Sequence, residues 1–249
     1  MKIIEWEKLP CEMQTDEVRK YYDLLKRRKA ALFFKRAFDL VASLIALVLL
    51  SPVFLILAIA IKLDSPGPVF YRQIRITQYG KQFRIHKFRT MVQNADKGSQ
   101  VTVNNDSRIT RVGKLIRKCR LDEIAQLLDV ISGNLTLVGV RPESPKYVAE
   151  YTSEMQATLL LPAGVTSLAS IYYKDEAEML DGVEDPDKVY VEKILPAKMH
   201  YNLRGIEKFS FFGDIKIMFM TVLAVLGKNY KGDLLTQGKH HEEKESVPQ

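Results

Sequence analysis

The stretch LVASLIALVLLSPVFLILAIAI, residues 40–61, contains 22 consecutive positions without a charged side chain. A straight α-helix of that length measures about 33 Å, which is enough to cross the hydrocarbon core of a bilayer. The stretch lies too far from the first residue, and is too long, for a signal peptide. It therefore predicts a membrane helix, around which the rest of the fold must be arranged.

A proline and the flanking charges set the path of this helix. Ser51 and Pro52 lie mid-run, where a proline removes one helical hydrogen bond and crowds the preceding turn. Basic residues flank both ends, with Lys35 and Arg36 before the run and Lys62 after it. Because basic flanks favour the cytoplasmic side, both ends are satisfied only if the helix bends and leaves where it entered. From the residues alone, a re-entrant hairpin and an ordinary kinked span both stay open.

The charge balance limits the partners of the chain. A formal net charge of +7 suits nucleic acid, anionic lipid or a phosphorylated substrate. No recognition-helix or stacking-strand pattern is present, so nucleic acid is not an expected partner. Neither a glycine-rich dinucleotide loop nor a P-loop spacing occurs. The basic run Lys26 to Lys29 favours contact with the headgroups of membrane lipid.

The remaining pattern predicts an α+β fold, mainly helical with a small β-hairpin. Strands are predicted at 69–72 and 82–88, joined by a turn at 79–81, with a short extended piece at 135–138. Helices are predicted over 112–118, 121–131, 144–160 and 190–201. Residues 94–110 read as a surface loop. The second apolar segment, 209–226, lies in the membrane interface or closes the core.

Two adjacent acids stand among basic residues in the stretch RKCRLDE, residues 117–123. Acids in a first helical turn satisfy free N–H groups and the helix dipole, so Asp122 and Glu123 have a structural interpretation. They also suit Mg²⁺, which binds through one or two carboxylates and substrate phosphates. Both interpretations stay open on spacing alone.

Basic residues near these acids favour the chemical interpretation. Arginine forks match phosphate oxygens, and Arg117 and Arg141 are candidates for that contact. Lys87 and Arg89, at the end of the second predicted strand, are further candidates. The combination predicts a phosphoryl-transfer site without a P-loop, in which one carboxylate can act as nucleophile.

Several long motifs carry a family resemblance. They are KRAFDLVASLIALVLLSPVFLILAIAIKLDSPGPVFYRQIR (35–75), FRIHKFRTM (83–91), DSRITRVGKLIRKCRLDEIAQLLDVISGNLTLVGVRPE (106–143) and FSFFGDIKIMFMTVL (209–223). In this order they resemble the bacterial sugar transferase family, the monotopic polyprenyl-phosphate phosphoglycosyl transferases. The resemblance runs from about residue 35 to residue 226, nearly the whole chain.

The resemblance implies a membrane arrangement and a domain plan. The apolar helix is expected to be a re-entrant helix-break-helix hairpin at 35–62, broken at Ser51 and Pro52. A basic cytoplasmic segment at 1–34 precedes it, a catalytic domain at 63–226 follows it, and a polar tail occupies 227–249. The expected location is the cytoplasmic face of the bacterial inner membrane.

The resemblance also implies an activity. Asp122 is expected to attack the diphosphate of a UDP-sugar, so that UMP leaves and a phosphosugar stays on the enzyme. Polyprenyl phosphate, commonly undecaprenyl phosphate, then takes the phosphosugar in the first membrane step of surface glycan synthesis. Glu123 supports this chemistry, Mg²⁺ lies near Asp122, and Arg117 and Arg141 hold phosphate. Lys87 and Arg89 occupy the family's Lys-Phe-Arg motif, and later glycosyltransferases are candidate partners.

Some positions depart from the family pattern. Ala125 and Val140 stand where proline is usual, and Thr77 where glycine is usual. Residues 162–169 are a loosened version of a Pro-Gly-Ile-Thr-Gly motif. No proposed charged group is lost, so a catalytic enzyme is favoured over two rivals, a non-catalytic membrane scaffold of the same fold and a membrane-tethered nucleic-acid binder. The identity of the sugar is not set by these motifs.

Overall fold

The computed structural model describes residues 1–93, 95, 108–180 and 182–230. The α-helices are α1 Asp16–Arg27, α2 Lys29–Asp64, α3 Arg111–Lys118, α4 Leu127–Ile131, α5 Pro145–Val148, α6 Leu168–Tyr172, α7 Glu176–Met179, α8 Pro186–Val189, α9 Leu195–Glu207 and α10 Phe211–Val225. The strands are β1 Phe70–Ile76, β2 Gln82–Phe88, β3 Leu135–Val138 and β4 Ala163–Thr166. The prediction of a mainly helical fold with a small β-hairpin is confirmed. Most of the predicted loop at 94–110 and of the predicted tail at 227–249 lies outside the described residues.

Helix α2 is continuous through the predicted break. It contains 36 residues with Pro52 inside, so a break at Ser51 and Pro52 is not confirmed. Proline cannot donate to the carbonyl of Val48, four residues earlier. The Ser51 hydroxyl donates to that carbonyl instead, at 2.8 Å. Because this carbonyl has a partner, helical geometry can continue across the proline.

The chain before α2 and the chain after it form one hydrophobic core. Val18, Tyr22 and Leu25 of α1 pack in the same cluster as Leu160 and Leu203. The Tyr21 hydroxyl also donates to the Glu154 carboxylate at 2.7 Å. The basic segment predicted at 1–34 is therefore part of the folded domain, although Lys26, Arg27 and Lys29 keep exposed side chains.

Both ends of α2 contact this domain. Near its start, the Arg36 guanidinium donates to the carbonyls of Val130 at 2.9 Å and Leu135 at 3.4 Å. At its end, the Asp64 carboxylate accepts from the Val112 N–H at 3.0 Å. Between these contacts many apolar side chains of α2 are exposed, among them Val48, Leu49 and Leu55, whereas Leu57 and Ile61 are buried.

After helix α2, the chain forms two small sheets. β1 and β2 are antiparallel, with Phe70 opposite Phe88 and Ile76 opposite Gln82. β1 is longer than predicted. β3 and β4 are parallel, with Leu135 opposite Ala163. Beyond β3, the Gly164 N–H donates to the Val140 carbonyl at 2.7 Å, which fixes the chain just before Arg141.

Two predicted helices differ in form. The helix predicted at 144–160 is divided into α5 and a 3₁₀ turn, Met155–Leu160. The Thr152 hydroxyl accepts from the Met155 N–H at 3.4 Å in the stretch between the two pieces, a side-chain contact that competes with helical hydrogen bonding. The helix predicted at 190–201 begins with a π-helical turn, Tyr190–Ile194, and continues as α9.

Helix α10 occupies the second apolar segment and has no buried residue. One side contacts α2, where the Phe38 and Phe211 rings meet edge to face and Asp214 pairs with Lys35 at 2.6 Å. On the other side Phe212 and Phe219 are 81% and 65% exposed. Of the two predicted roles, this exposure favours a position in the membrane interface over closure of the core.

Candidate active site

A 3₁₀ turn, Leu121–Gln126, carries the adjacent acids Asp122 and Glu123. Ala125 and Gln126 at its end are buried and anchor it. With about three residues per turn, the two carboxylates point in directions some 120° apart. The turn starts at Arg120, whose backbone is left-handed at φ 52°. The predicted helix at 121–131 is thus a 3₁₀ turn followed by α4.

The Glu123 carboxylate contacts two of the predicted phosphate-binding residues. Arg141 donates to both of its oxygens, with one Nη–Oε distance of 3.4 Å. Lys87 Nζ lies 3.3 Å from the same carboxylate. Two cations and one acid are therefore in contact in the described site, although these residues lie far apart in the chain.

The surroundings shift the pKa values of Asp122 and Glu123 in opposite directions. Burial raises the pKa of Asp122 above its ordinary value, and the charge of Glu123 adds to this rise. Burial also acts to raise the pKa of Glu123, but the charges of Arg141 and Lys87 hold that pKa well below its ordinary value. Glu123 therefore stays ionised and pairs with Arg141 and Lys87, whereas Asp122 is the more readily protonated of the two acids.

A second carboxylate fixes the strand that carries Lys87. Asp129 of α4 is buried and accepts from the His86 backbone N–H at 2.7 Å. Its other oxygen lies 2.8 Å from His86 Nδ1. These contacts join β2 to the segment that follows the 3₁₀ turn. Sequence analysis did not single out Asp129, although an acid among the apolar residues of a short helix was a visible signal.

The other two predicted phosphate-binding residues have different surroundings. Arg117 Nε donates to the Thr90 hydroxyl at 2.9 Å, and its charge acts on Asp122. The Arg89 guanidinium donates to the carbonyls of Ser65 at 2.7 Å and Pro66 at 2.5 Å. Arg89 is buried at the end of α2, where it donates to the turn that leaves the helix, and its phosphate contact stays a prediction.

A cavity of about 420 Å³ opens beside Glu123 and Arg141. Its charged lining is Arg120, Glu123, Arg141, Lys174, Glu176 and Lys198. Its apolar lining includes Ala42, Ala46 and Leu50 of α2 with Met218, Ala224 and Val225 of α10. The lining therefore combines charged side chains, which suit anionic or polar groups, with apolar side chains, which suit a hydrocarbon chain.

A buried polar network that sequence analysis missed borders this cavity. Lys198 Nζ lies 2.9 Å from the Tyr190 hydroxyl, 3.0 Å from Glu176 and 3.3 Å from Glu143. The Tyr190 hydroxyl donates to Glu143 at 2.7 Å. These residues are distant from the acidic pair in sequence and match no short motif, so only the fold brings them to the site.

Mg²⁺ is the one cofactor predicted from the sequence. Among the described residues, no group of three or more His, Cys, Asp and Glu side chains is arranged to hold a metal ion. Mg²⁺ needs no such group, because it takes most of its ligands from water and substrate phosphates. Asp122, a carboxylate in a partly buried position beside basic residues, fits that mode of binding.

The fold and the site define a class of protein: one with a long apolar helix, compatible with membrane association, and with paired acidic and basic side chains beside a cavity. Among the described residues, α2 is the one helix long and apolar enough to cross a membrane. A family model for bacterial sugar transferases matches residues 30–228. The chain belongs to the bacterial sugar transferase family, as its motifs predicted.

Curated relatives support this membership. A UDP-N-acetylgalactosamine-undecaprenyl-phosphate N-acetylgalactosaminephosphotransferase of Aeromonas hydrophila is 35% identical over 78% of this chain and 44% of its own length. A UDP-glucose:undecaprenyl-phosphate glucose-1-phosphate transferase of Klebsiella pneumoniae is 36% identical over 76% of this chain and 39% of its own length. The chain thus spans less than half of these two proteins. The exopolysaccharide production protein PSS of Rhizobium leguminosarum bv. phaseoli is 36% identical over 80% of this chain and 99% of its own length.

Proposed function

We propose that the chain transfers a phosphosugar from a UDP-sugar to polyprenyl phosphate, with undecaprenyl phosphate as the acceptor, and releases UMP. The observation that carries this proposal is the mixed lining of the cavity, in which Glu123 and Arg141 occur together with apolar residues of α2 and α10. A phosphorylated lipid has an anionic headgroup and a hydrocarbon chain, so it needs both kinds of lining. The names of the relatives, with their UDP-sugar donors and undecaprenyl phosphate acceptor, support the same substrates.

The reaction proceeds in two displacements at one phosphorus atom. In the first, an Asp122 carboxylate oxygen attacks the β-phosphorus of the UDP-sugar, and the bond to the UMP oxygen breaks. In the second, a phosphate oxygen of the polyprenyl phosphate attacks the same phosphorus, and the acyl-phosphate bond to Asp122 breaks. Two steps let a soluble donor and a membrane-bound acceptor use one site in turn.

The charges around Asp122 suit this division of roles. Glu123 is engaged by Arg141 and Lys87, whereas Asp122 is the acid left to act as nucleophile. Arg141, Lys87 and Arg117 supply positive charge for the diphosphate and for the departing UMP. Mg²⁺, held by Asp122 and substrate phosphates, would supply further neutralisation of the phosphate charge. Glu123 keeps the cations oriented before substrate arrives.

The packing of the chain supports a monotopic arrangement on the cytoplasmic face of the bacterial inner membrane. Residues on both sides of α2 share one hydrophobic core, including Leu25 and Leu203. A true span would place them on opposite sides of about 30 Å of hydrocarbon. We therefore propose that α2 enters and leaves on the same side, with Pro52 as the point of bending. The exposed Lys26, Arg27 and Lys29 would meet anionic headgroups.

The test is UMP release by the purified full chain, with Mg²⁺, undecaprenyl phosphate and a panel of UDP-sugars. We expect release from one donor, lost in Asp122→Asn and after chelation of Mg²⁺. Asp23→Asn, an exposed acid on α1, is the matched control and should behave as wild type. Donor labelled in the sugar should leave label on the wild-type protein and none on Asp122→Asn.

The contrary outcomes separate the alternatives. Undiminished turnover by Asp122→Asn would exclude Asp122 as nucleophile and leave it a helix-capping role. No UMP from any donor, with folded and membrane-bound protein, would favour a scaffold that recruits later glycosyltransferases. The exopolysaccharide relative makes surface glycan synthesis the pathway to examine first.

A further inference from the structure

Glu176 and Lys198 form an ion pair in the cavity lining that the proposed chemistry does not use. Their Oε–Nζ distance is 3.0 Å, and both residues line the cavity together with Glu123 and Arg141. Lys198 lies within α9 and is 3% exposed, whereas the Glu176 side chain is 34% exposed. Lys198 is thus buried in the core, whereas Glu176 forms part of the accessible cavity wall.

The partners of Lys198 show which contact can be given up. Glu143 and the Tyr190 hydroxyl are also within hydrogen-bonding distance of Lys198 Nζ, and both residues are buried. Glu143 is fixed further by the Tyr190 hydroxyl at 2.7 Å. Glu176 is the only partly exposed partner among these described contacts. A ligand that enters the cavity can therefore reach the Glu176–Lys198 contact without disturbing Glu143.

The segment that carries Glu176 is attached to the start of the acidic turn. Arg120, held in a left-handed backbone conformation, donates from its guanidinium to the Lys174 carbonyl at 2.9 Å. An unusual backbone at a non-glycine residue is a frequent feature of functional sites. Here it ties the wall that bears Glu176 to the residues directly before Asp122.

A hydroxyl group is the ligand that this pair fits. A hydroxyl both donates and accepts, so it can donate a hydrogen bond to the Glu176 carboxylate and accept one from the Lys198 ammonium. Glu123 and Arg141 line this cavity and Asp122 adjoins Glu123 in the same turn, so a phosphosugar whose phosphate binds Arg141 can place its sugar in the cavity. A phosphate would gain from Lys198 but would be repelled by Glu176 and Glu143, which favours the neutral sugar over the acceptor phosphate.

We propose that Glu176 and Lys198 bind a free hydroxyl of the donor sugar and so help to select which UDP-sugar is used. This inference rests on the proposed function, since it assigns the sugar-binding wall of the same site. A site built to hydrogen-bond a hydroxyl discriminates strongly against analogues that lack it, because its own polar groups are then left unpaired.

The test compares binding of UDP and of the UDP-sugar that gives most UMP, by titration calorimetry on the full chain in detergent. In Glu176→Gln, we expect the affinity gained from the sugar, relative to UDP alone, to fall about 10- to 100-fold. Glu192→Gln is the matched control, since Glu192 pairs with Lys188 on the exposed surface. It should leave that ratio unchanged.

Analogues of the donor that each lack one hydroxyl locate the contact. We expect one of them to bind wild type weakly and to lose nothing further in Glu176→Gln. If the variant weakens the donor and every analogue equally, or alters only the KM for polyprenyl phosphate, the assignment to a sugar hydroxyl is wrong. If wild type binds no uridine nucleotide at all, the proposed function is contradicted together with this inference.

Discussion

Arg141 holds Glu123 through both of its terminal nitrogens, with Nη1 at 3.4 Å from Oε2 and Nη2 donating to Oε1. The two planar groups lie fork to fork, which orients the guanidinium as well as neutralising its charge. The same fork geometry also matches phosphate oxygens, the ligand proposed for Arg141.

Replacing the Arg141 guanidinium by a lysine ammonium tests whether the paired donors are needed. Arg141→Lys keeps the charge but loses the paired donors, so we expect kcat/KM for UMP release to fall about 100-fold. Arg204→Lys, on the exposed side of α9, is the control and should retain wild-type activity. Full activity in Arg141→Lys would mean that charge alone is needed at this position.

The acidic limb of the pH profile should follow Asp122. Attack requires the ionised acid, and the raised pKa of Asp122 means that activity is lost at a higher pH than the ordinary value of about 3.9 implies. Glu123→Gln removes a like charge, so we expect the acidic limb of kcat/KM to move to lower pH. Burial is the larger cause and is unchanged, so the limb should move only part of the way. A move to higher pH would contradict the charge assignment.

Gly164 tests the backbone contact that fixes Arg141. An added Cβ there would lie 2.2 Å from the Gly139 nitrogen, a backbone atom that cannot rotate away. We expect Gly164→Ala to lower the free energy of unfolding by about 3 kcal/mol. Gly205→Ala, in α9, meets nothing within 4 Å and should gain up to about 1 kcal/mol. Thermal unfolding in detergent measures both, and equal stability of the two variants would refute the close contact.

A buried polar group attaches the first half of α2 to the domain. Asp39 accepts from the Thr136 hydroxyl at 2.5 Å, and Lys35 lies 4.0 Å from the same carboxylate. Asp39→Ala leaves the hydroxyl without this partner, so we expect a loss of about 3 kcal/mol in unfolding free energy. Asp23→Ala breaks an exposed pair with Arg19 and should cost less than about 0.5 kcal/mol. Similar losses in chemical denaturation of the two variants would contradict this view of Asp39.

The two native cysteines report the path of α2. Cys11 precedes the helix, Cys119 follows it, and both are exposed. In sealed inverted vesicles, we expect a membrane-impermeant thiol reagent to label both, and in right-side-out vesicles neither. Cys11→Ser and Cys119→Ser assign the signals. Labelling of one cysteine from each side would establish a true span and overturn the monotopic proposal.

Local patterns predicted much of the fold because their causes are local. β2 was predicted at 82–88 and is found there, since apolar residues alternate along it. β1 extends beyond residue 72 because pairing with β2 draws in Gln73 to Ile76, whose charged neighbours hid the pattern. The helix predicted at 144–160 is interrupted near Thr152, whose hydroxyl bonds to the backbone in competition with helical hydrogen bonding.

The site was predictable only in part. Motifs brought Asp122, Glu123, Lys87 and Arg141 to attention, and the fold brings the last three into contact. Arg89 shared a motif with Lys87, yet its guanidinium turns to the end of α2. Lys198 joins the site through tertiary packing of α9, and no local spacing predicts such a contact.

The shared core of α1 and α9 also sets an order of events during synthesis. Tyr21 and its partner Glu154 are 133 residues apart, so α1 leaves the ribosome long before its packing partners exist. Helix α2 must meanwhile enter the bilayer while the preceding segment still lacks its packing partners. Contacts this distant in sequence form slowly. A nascent chain stopped before residue 150 should therefore be cut by protease within residues 1–28, whereas the full chain should resist. The orientation of α2 in the membrane would then become fixed only when synthesis of the enzyme is complete.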